Sequence, residues 1–123
     1  MSEPKPALYI VTIEVAPSAE DTWNQWHEQV HVPEVLRQPG FVSCRKWKDT
    51  TAADDGWARY VCHYELTGPD ALERYTASEA ARRLREESEL RFGYVTRHRR
   101  QIYSEVARFE VDSDADTDAD ASE

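Results

Sequence analysis

Apolar and polar positions along this chain follow two different periods, and together they predict six elements. Four segments have the apolar or alternating pattern of strands, namely residues 8–15, 41–48, 57–66 and 94–109. Two segments repeat their apolar positions with helical period, namely residues 18–31 and 69–87. The predicted order is therefore β-α-β-β-α-β, and the predicted fold class is α+β.

This order is that of the split βαβ, or ferredoxin-like, motif. Such a motif places four antiparallel strands in one sheet and two helices on one face of that sheet. The second and third strands are joined by turn-forming residues 50–56, and we expect them to form a hairpin. Pro39-Gly40 predicts the turn that leads into that hairpin.

Single residues predict where the helices begin and end. Ser18 is expected to cap the first helix, with Asp21 in the third position of a capping box. Pro33 is expected to end or kink this helix after about His31. The second helix is predicted to be continuous and to be followed by a short turn that ends at Gly93. The last strand is predicted to contain a bulge where its apolar alternation changes face.

The first strand carries apolar side chains on both faces. Leu8 and Ile10 lie on one face, and Tyr9, Val11 and Ile13 lie on the other. Helices cover only one face of a ferredoxin-like sheet, so something else must cover the second. A second copy of the same sheet is the simplest cover, and we therefore predict a homodimer.

Charge divides the 123 residues into a domain and a tail. Residues 110–123 hold seven acids and no bases, whereas residues 1–109 hold 17 acids against 15 Lys and Arg. We predict one folded domain over residues 1–109 and a disordered acidic tail over residues 110–123. Because the chain has a net charge of -9, nucleic acid is not an expected partner.

The sequence lacks the signals of membrane proteins and of secreted proteins. No apolar run approaches the roughly 20 residues that a bilayer span requires, so no membrane association is expected. The first residues lack the pattern of a secretory signal, and two cysteines, Cys44 and Cys62, are too few for a disulfide scaffold. These absences predict a cytoplasmic location.

The first helix carries the most conspicuous chemistry. One face of this helix carries residues that recur at helical spacing, namely Trp23, Trp26, His27, Val30, His31 and Glu34. One interpretation is that the indoles and Val30 are core residues, with the imidazoles at the edge of that core. The other is that this face lines a cavity, in which His27 or His31 supplies a base that titrates near neutral pH.

The same helix contains His27-Glu28-Gln29-Val30-His31, which matches the H-E-x-x-H pattern of zinc hydrolases. Pro33 breaks the pattern where longer zinc motifs continue toward a third ligand, so no metal site is predicted and a zinc hydrolase is kept as the third alternative. Glycine-rich nucleotide loops and the G-x-S-x-G motif are also absent from the sequence. We therefore expect no cofactor.

The predicted strands offer further polar groups. By alternation, His63 lies on the sheet face opposite to Tyr60 and Tyr64. His98 lies in a basic run, residues 97–100, whose positive charge should lower its affinity for a proton. This run could hold an anionic substrate group, or it could be a solvated or interface strand. Arg82, Arg83 and Arg85 are expected on the outer face of the second helix.

Two groups of residues resemble motifs of a small bacterial family of uncharacterised function. The first group is Trp23-x-x-Trp26, His31-Val32-Pro33-Glu34-Val35-Leu36 and Gly40-Phe41-x-Ser43-x-Arg45. The second is Tyr75, Ala81-x-x-Leu84-Arg85-x-Glu87 and Arg91-Phe92-Gly93. The resemblance covers about residues 8–108. That family is similar to the dimeric α+β barrel superfamily, which includes antibiotic-biosynthesis monooxygenases, EthD-like proteins, muconolactone isomerase-like enzymes and polyketide cyclases.

This resemblance implies a ferredoxin-like dimer that holds a flat substrate between helices and sheet, often without a cofactor. The implied cavity wall comprises Trp23, Trp26, His27 and His31 on the helix, and Tyr60 and Tyr64 with His63 or His98 on the sheet. Our leading hypothesis is a cyclase, isomerase or monooxygenase for an aromatic or polyketide-like molecule. His31, or else His27 or His63, would remove a proton, and Tyr64, Tyr60 or Arg45 would stabilise the oxyanion. The alternative is a barrel that binds a small molecule without catalysis.

Overall fold

Four strands form one antiparallel sheet in the computed structural model, which describes residues 5–51 and 55–111. The strands are β1 (Ala7–Val15), β2 (Phe41–Lys48), β3 (Ala58–Leu66) and β4 (Thr96–Ser104). Their order across the sheet is β2-β3-β1-β4, with β1 pairing on both sides. The predicted α+β ferredoxin-like topology is confirmed, including the hairpin of β2 and β3.

The helices pack on one face of this sheet. A 3₁₀ turn (Pro17–Ala19) leads into α1 (Glu20–Trp26), a π-helical segment (His27–His31) and α2 (Val32–Leu36). After the hairpin come α3 (Pro69–Thr76), α4 (Glu79–Phe92) and a 3₁₀ turn (Gly93–Val95). No helix in the described part of the chain is long and apolar enough to cross a membrane.

The first helical run passes through Pro33 and continues to Leu36, so the prediction that it ends near His31 is wrong. In the π-helical segment the Val32 N–H donates to the His27 carbonyl, five residues back. Pro33 then falls in the first turn of α2, where a missing N–H is tolerated. Ser18 does not cap the run, because it lies within the 3₁₀ turn and no side chain caps α1.

The second predicted helix is two helices. The chain leaves helical geometry at Ser78, whose Oγ accepts a hydrogen bond from the Ala81 N–H (3.1 Å) and so caps the start of α4. Helix α4 extends to Phe92, beyond the predicted end. The break at Ser78 was not predicted, because the apolar positions keep their helical period on both sides of it.

The last strand is shorter than predicted and has no bulge. Its register with β1 runs without interruption from Ala7 opposite Ser104 to Val15 opposite Thr96. The irregularity of the sheet lies instead in β2, between Phe41 and Ser43. The predicted domain boundary between residues 109 and 110 stays a prediction, and most of the predicted tail, residues 112–123, lies outside the described residues.

The core lies between the helices and one face of the sheet. Its largest fully buried side chains are Trp23, Ile13, Leu66, Leu72, Val15 and Cys62. The other face, which we call the open face, carries Leu8 and Ile10 from β1 and Val61 and His63 from β3, all half-buried. No element among the described residues covers the open face.

Candidate functional site

A row of stacked rings runs along the first helical run. The ring of Trp23 stacks on that of His27 with centroids 4.4 Å apart, and His27 stacks on His31 at 5.5 Å. Trp26 lies behind His31, with ring centroids 5.0 Å from His31 and 5.2 Å from Phe92. The π-helical segment carries both imidazoles, and π-turns occur frequently at functional sites.

These rings border a cavity between the helices and the sheet. Its empty volume is about 490 Å³ including the open mouth, although the centre of a water molecule can move through only about 40 Å³ of it. That is room for about three water molecules. The cavity is lined by Tyr9, Val11, Ile13, Trp23, His27, His31, Val35, Tyr64, Tyr75, Leu84, Arg85, Ser88, His98 and Arg100.

The histidines of this cavity are neutral at physiological pH. Burial lowers the pKa of His31 to about 4, with the nearby charge of Glu87 opposing this shift and that of Arg100 adding to it. Burial and the charge of Arg100 lower the pKa of His98 to about 4. Burial, with the charge of Lys46, lowers the pKa of His27 to about 2. Each imidazole can therefore accept a proton or a hydrogen bond without first losing a proton.

Two tyrosine hydroxyls are kept protonated. Burial raises the pKa of Tyr75 to about 12, while the charges of Arg85 and Arg100 act in the opposite direction. Burial likewise raises the pKa of the Tyr64 hydroxyl, which also lies close to the thiols of the sheet. Both side chains line the cavity and are available as hydrogen-bond donors to an oxygen placed there.

His27 is the most deeply buried polar side chain of the row. Its Nε2 lies 3.9 Å from the Sγ of Cys62. Its Nδ1 is buried and has no hydrogen-bond partner among the described residues, as is also true of Trp26 Nε1. A buried ring nitrogen without a partner is costly, so His27 Nδ1 is a polar position that a bound molecule could satisfy.

Five residues predicted for the site line this cavity, namely Trp23, His27, His31, Tyr64 and His98. Trp26 packs against the ring of His31 and does not line the cavity. Val30, assigned to the core in one interpretation, is 37% exposed, whereas both indoles are buried. The core and cavity interpretations of the first helix are thus both correct in part, because Trp26 packs inward and the imidazoles border a void.

Tyr60 lies outside this lining because its hydroxyl is engaged elsewhere. It donates to Glu20 Oε2 (2.6 Å) and accepts from Asn24 Nδ2 (2.9 Å). Its ring packs on Trp23, with centroids 5.4 Å apart. Tyr60 thus ties α1 to β3, and it is not directed at the site.

Arg45 and His63 are not brought to the cavity. They are paired across β2 and β3, and both lie on the open face, where the sequence alternation placed His63. The Arg45 guanidinium packs over the Trp47 ring at 4.9 Å. The sheet separates these side chains from the cavity, so the suggested roles of His63 as base and Arg45 as oxyanion donor do not fit this geometry.

Five polar lining residues were absent from the predicted site residues, namely Tyr9, Tyr75, Arg85, Ser88 and Arg100, although Arg100 belongs to the basic run that was considered for an anionic group. Arg85 was assigned to the outer face of its helix, and it is exposed there, but its side chain also lines the cavity. The available signal was the spacing of Ala81, Leu84 and Ser88, which are all buried, because Arg85 lies next to the arc that these residues span on the helix. For Arg100 the signal was alternation with His98 along β4.

The H-E-x-x-H motif does not have the geometry that the zinc hydrolase, the third alternative, would require. Glu28 points to the surface, where its Oε2 accepts from Lys46 Nζ at 2.9 Å. Within residues 5–51 and 55–111, no group of three His, Cys, Asp or Glu side chains is placed to hold a metal ion. The motif instead provides the two stacked imidazoles of the row.

Comparisons with known proteins identify relatives of this fold. A family model described as "Domain of unknown function (DUF4286)" matches residues 6–105. An EthD-family protein from Bacillus halodurans has a TM-score of 0.62 at 11% identity, over 81% of this chain and 99% of its own. SnoaB from Streptomyces nogalater, a cofactor-independent oxygenase, has a TM-score of 0.58 at 19% identity, over 87% of this chain and 97% of its own.

A candidate antibiotic biosynthesis monooxygenase from Bacillus cereus has a TM-score of 0.61 at 10% identity, over 87% of this chain and 99% of its own. None of the curated proteins matches this chain in sequence. At such identities the likeness is one of fold. It confirms the ferredoxin-like fold of the EthD-like and antibiotic-biosynthesis monooxygenase proteins, which the sequence resemblance implied.

Proposed function

This chain belongs to the DUF4286 family, and we propose that it is an enzyme that removes a proton from a small aromatic or polyketide-like molecule without a bound cofactor. The observation that carries the proposal is the neutral imidazole of His31 in a cavity walled by Trp23. The likeness of the fold to SnoaB, a cofactor-independent oxygenase, supports the general kind of protein.

In this proposal His31 acts as the general base. Its imidazole accepts a proton from the carbon next to a carbonyl, and the electron pair of the broken C–H bond becomes an enolate. The hydroxyls of Tyr64 and Tyr75 donate hydrogen bonds to the enolate oxygen. Cyclisation or isomerisation then returns the proton to another atom, whereas oxygenation would consume O₂ at the same carbanion.

The low pKa of His31 sets the conditions for this step. An imidazole with a pKa of about 4 is a weak base when the cavity is empty. Negative charge that develops on the substrate next to it raises its pKa, so the proton is held best when the enolate is present. Trp23 provides a flat apolar wall that holds the ring and excludes water.

The test is hydrogen–deuterium exchange at carbon, which needs no knowledge of the final product. We would follow exchange of the methyl protons of 2′-hydroxyacetophenone, a single-ring ketone, and of related aryl ketones and 1,3-diketones in D₂O by NMR. His31→Gln should lower the catalysed rate by about 10²–10⁴-fold. The rate of the parent protein should fall only as the pH approaches about 4, where His31 takes up a proton.

His63→Gln is the matched control, because it removes an imidazole from the open face of the same sheet and should keep the parent rate. Circular dichroism would check that both variants fold. Exchange no faster with the protein than with buffer across these compounds, or equal loss in both variants, would refute the proposed chemistry.

A second candidate is a barrel that binds its ligand without converting it. The observation that favours it is the depth to which the pKa values of His27 and His31 are lowered, to about 2 and about 4. A ligand recovered unchanged after long incubation, with no exchange at carbon, would favour this candidate.

The proposed enzyme is a homodimer in which two copies of the open face pack together. Support comes from its half-buried apolar side chains, including Ile10 and Val61, and from its mixed charge. Arg59 pairs with Glu14 there at 3.0 Å, and a face that carries both signs can pack against its own copy. We also propose a cytoplasmic location, which the free thiols of Cys44 and Cys62 suit.

A further inference from the structure

Two arginines approach the cavity from opposite walls. Arg85 comes from α4 and Arg100 from β4, and both line the cavity while remaining exposed at its mouth. The positive charge of each acts on the hydroxyl of Tyr75, which lines the same space. Arg100 also acts on His31 and His98. Both guanidinium groups therefore project their charge into the site rather than away from it.

Neither arginine has a carboxylate partner within residues 5–51 and 55–111, whereas neighbouring arginines do. Arg82, one turn before Arg85 on the same helix, bonds two glutamates of that helix. Arg97 on β4 bonds Asp55 with Nη2 2.6 Å from Oδ2. An unpaired guanidinium is expected on a solvated surface, but two that converge on one cavity leave its mouth strongly positive.

The other groups of the cavity do not balance this charge. Its three histidines, Tyr64 and Tyr75 are neutral at physiological pH, as described above. No acid among the described residues lines this cavity. Glu87 acts on His31 and is itself paired with Arg91 at 3.4 Å, and Glu86 and Glu89 line an adjoining groove with both arginines. The cavity therefore combines an aromatic wall at Trp23 with two positive charges at its mouth that no carboxylate of the described lining balances.

We infer that the site takes a substrate that carries an ionised acidic group, a carboxylate in the first instance, and that Arg85 and Arg100 hold this group at the mouth of the cavity. A guanidinium presents a planar fork of N–H donors that matches the two oxygens of a carboxylate. The aromatic part of the molecule then lies inward, against Trp23. The inference rests on the proposed function for the location of the ring, but it concerns binding alone.

The experiment uses benzoate and benzamide, which have the same ring and differ in charge. Calorimetric titration at fixed ionic strength should show benzoate binding at least about tenfold more tightly than benzamide. Arg85→Gln and Arg100→Gln should each weaken benzoate binding by on the order of tenfold and leave benzamide binding unchanged. Arg83→Gln removes the same charge from the same helix, at a position outside the cavity lining, and should bind benzoate like the parent.

A second readout separates direct contact from a general effect of charge. A carboxylate beside Arg100 neutralises one cause of the low pKa of His98, so benzoate should raise that pKa from about 4 in an NMR titration, and benzamide should not. Equal affinity for the two probes, no binding of benzoate, or equal weakening by Arg83→Gln would overturn the inference.

Failure of the proposed function looks different. His31→Gln should keep the preference for benzoate over benzamide, because the amide side chain leaves both arginines in place. A parent protein that discriminates between the probes but exchanges no proton at carbon would support the anion site and refute the catalytic proposal. The reverse result, exchange without discrimination, would refute the anion site alone.

Discussion

The imidazoles of the site are buried beside positive charge, and this combination sets how they titrate. For His98 the basic run of β4 predicted a lowered pKa, and the structure agrees in direction. Burial is the larger cause, however, and among the flanking arginines only Arg100 contributes, because it points to the same side of the sheet. Sequence neighbours of a strand residue alternate in direction, so charge close in sequence need not be close in space.

This burial makes stability depend on pH. Between the usual histidine pKa of about 6.5 and the folded value of about 4, the unfolded chain binds a proton at His98 that the folded chain does not. The free energy of unfolding should therefore fall as the pH is lowered through this range. His98→Gln should reduce the slope near pH 5 by about 1.4 kcal/mol per pH unit.

Urea unfolding of the parent and of His98→Gln at a series of pH values measures this slope. Identical slopes for the two proteins would mean that His98 takes up its proton in the folded state as readily as in the unfolded one.

Among the elements, the first helical run shows how local rules interact. Pro33 alone predicts an end to the helix, but the π-helical segment before it changes the hydrogen-bond register and lets the run continue to Leu36. The same segment places His27 and His31 in a row with Trp23. A π-turn has no sequence signature comparable to a cap, so the alignment of these rings could not be predicted from spacing alone.

The turn before β2 lies close against α3. Gly40 has φ of 91°, and a Cβ built there would lie 2.5 Å from the Cβ of Ala71 on α3. Gly40→Ala therefore combines left-handed strain with a clash against a packed helix, and we expect it to lower the free energy of unfolding by about 2–4 kcal/mol.

Gly56→Ala is the matched control, because Gly56 has φ of 80° but no neighbour within 4 Å of a built Cβ. It should cost only the strain, about 1–2 kcal/mol. Denaturant unfolding compares the two variants. Equal losses would show that the contact with Ala71 relaxes freely and that the turn does not fix the packing of α3.

At the scale of the whole molecule, the two faces of the sheet have different surroundings. One face carries the core and the cavity, and the other, the open face, carries half-buried apolar groups and a cluster of ion pairs around Glu14. The apolar residues on both faces of β1 predicted that both faces need a cover. Which side chains face the cavity follows from the strand register, since one step along a strand reverses the face.

The proposed homodimer gives a direct prediction. Val61 lies near the middle of the open face, so Val61→Lys would bury a charge in the proposed interface and should convert a dimer into a monomer without unfolding the protomer. Leu90→Lys, at a position on α4 that is 85% exposed, should leave the dimer intact.

Sedimentation velocity over a range of concentrations distinguishes the two states, and circular dichroism checks the fold. A parent protein that sediments as a monomer at every concentration, or a Val61→Lys variant that stays dimeric, would contradict the proposed interface.

The order of elements, the strand alternation and the face of His63 were determined by the sequence, because side-chain period and turn chemistry are local properties of the chain. The hairpin and the turn at Gly40 were likewise determined by the sequence. The cavity and its members were decided by the tertiary structure. Arg85 and Arg100 come from segments that meet only when α4 packs beside β4, and the low pKa of His31 arises from burial, which no local pattern specifies.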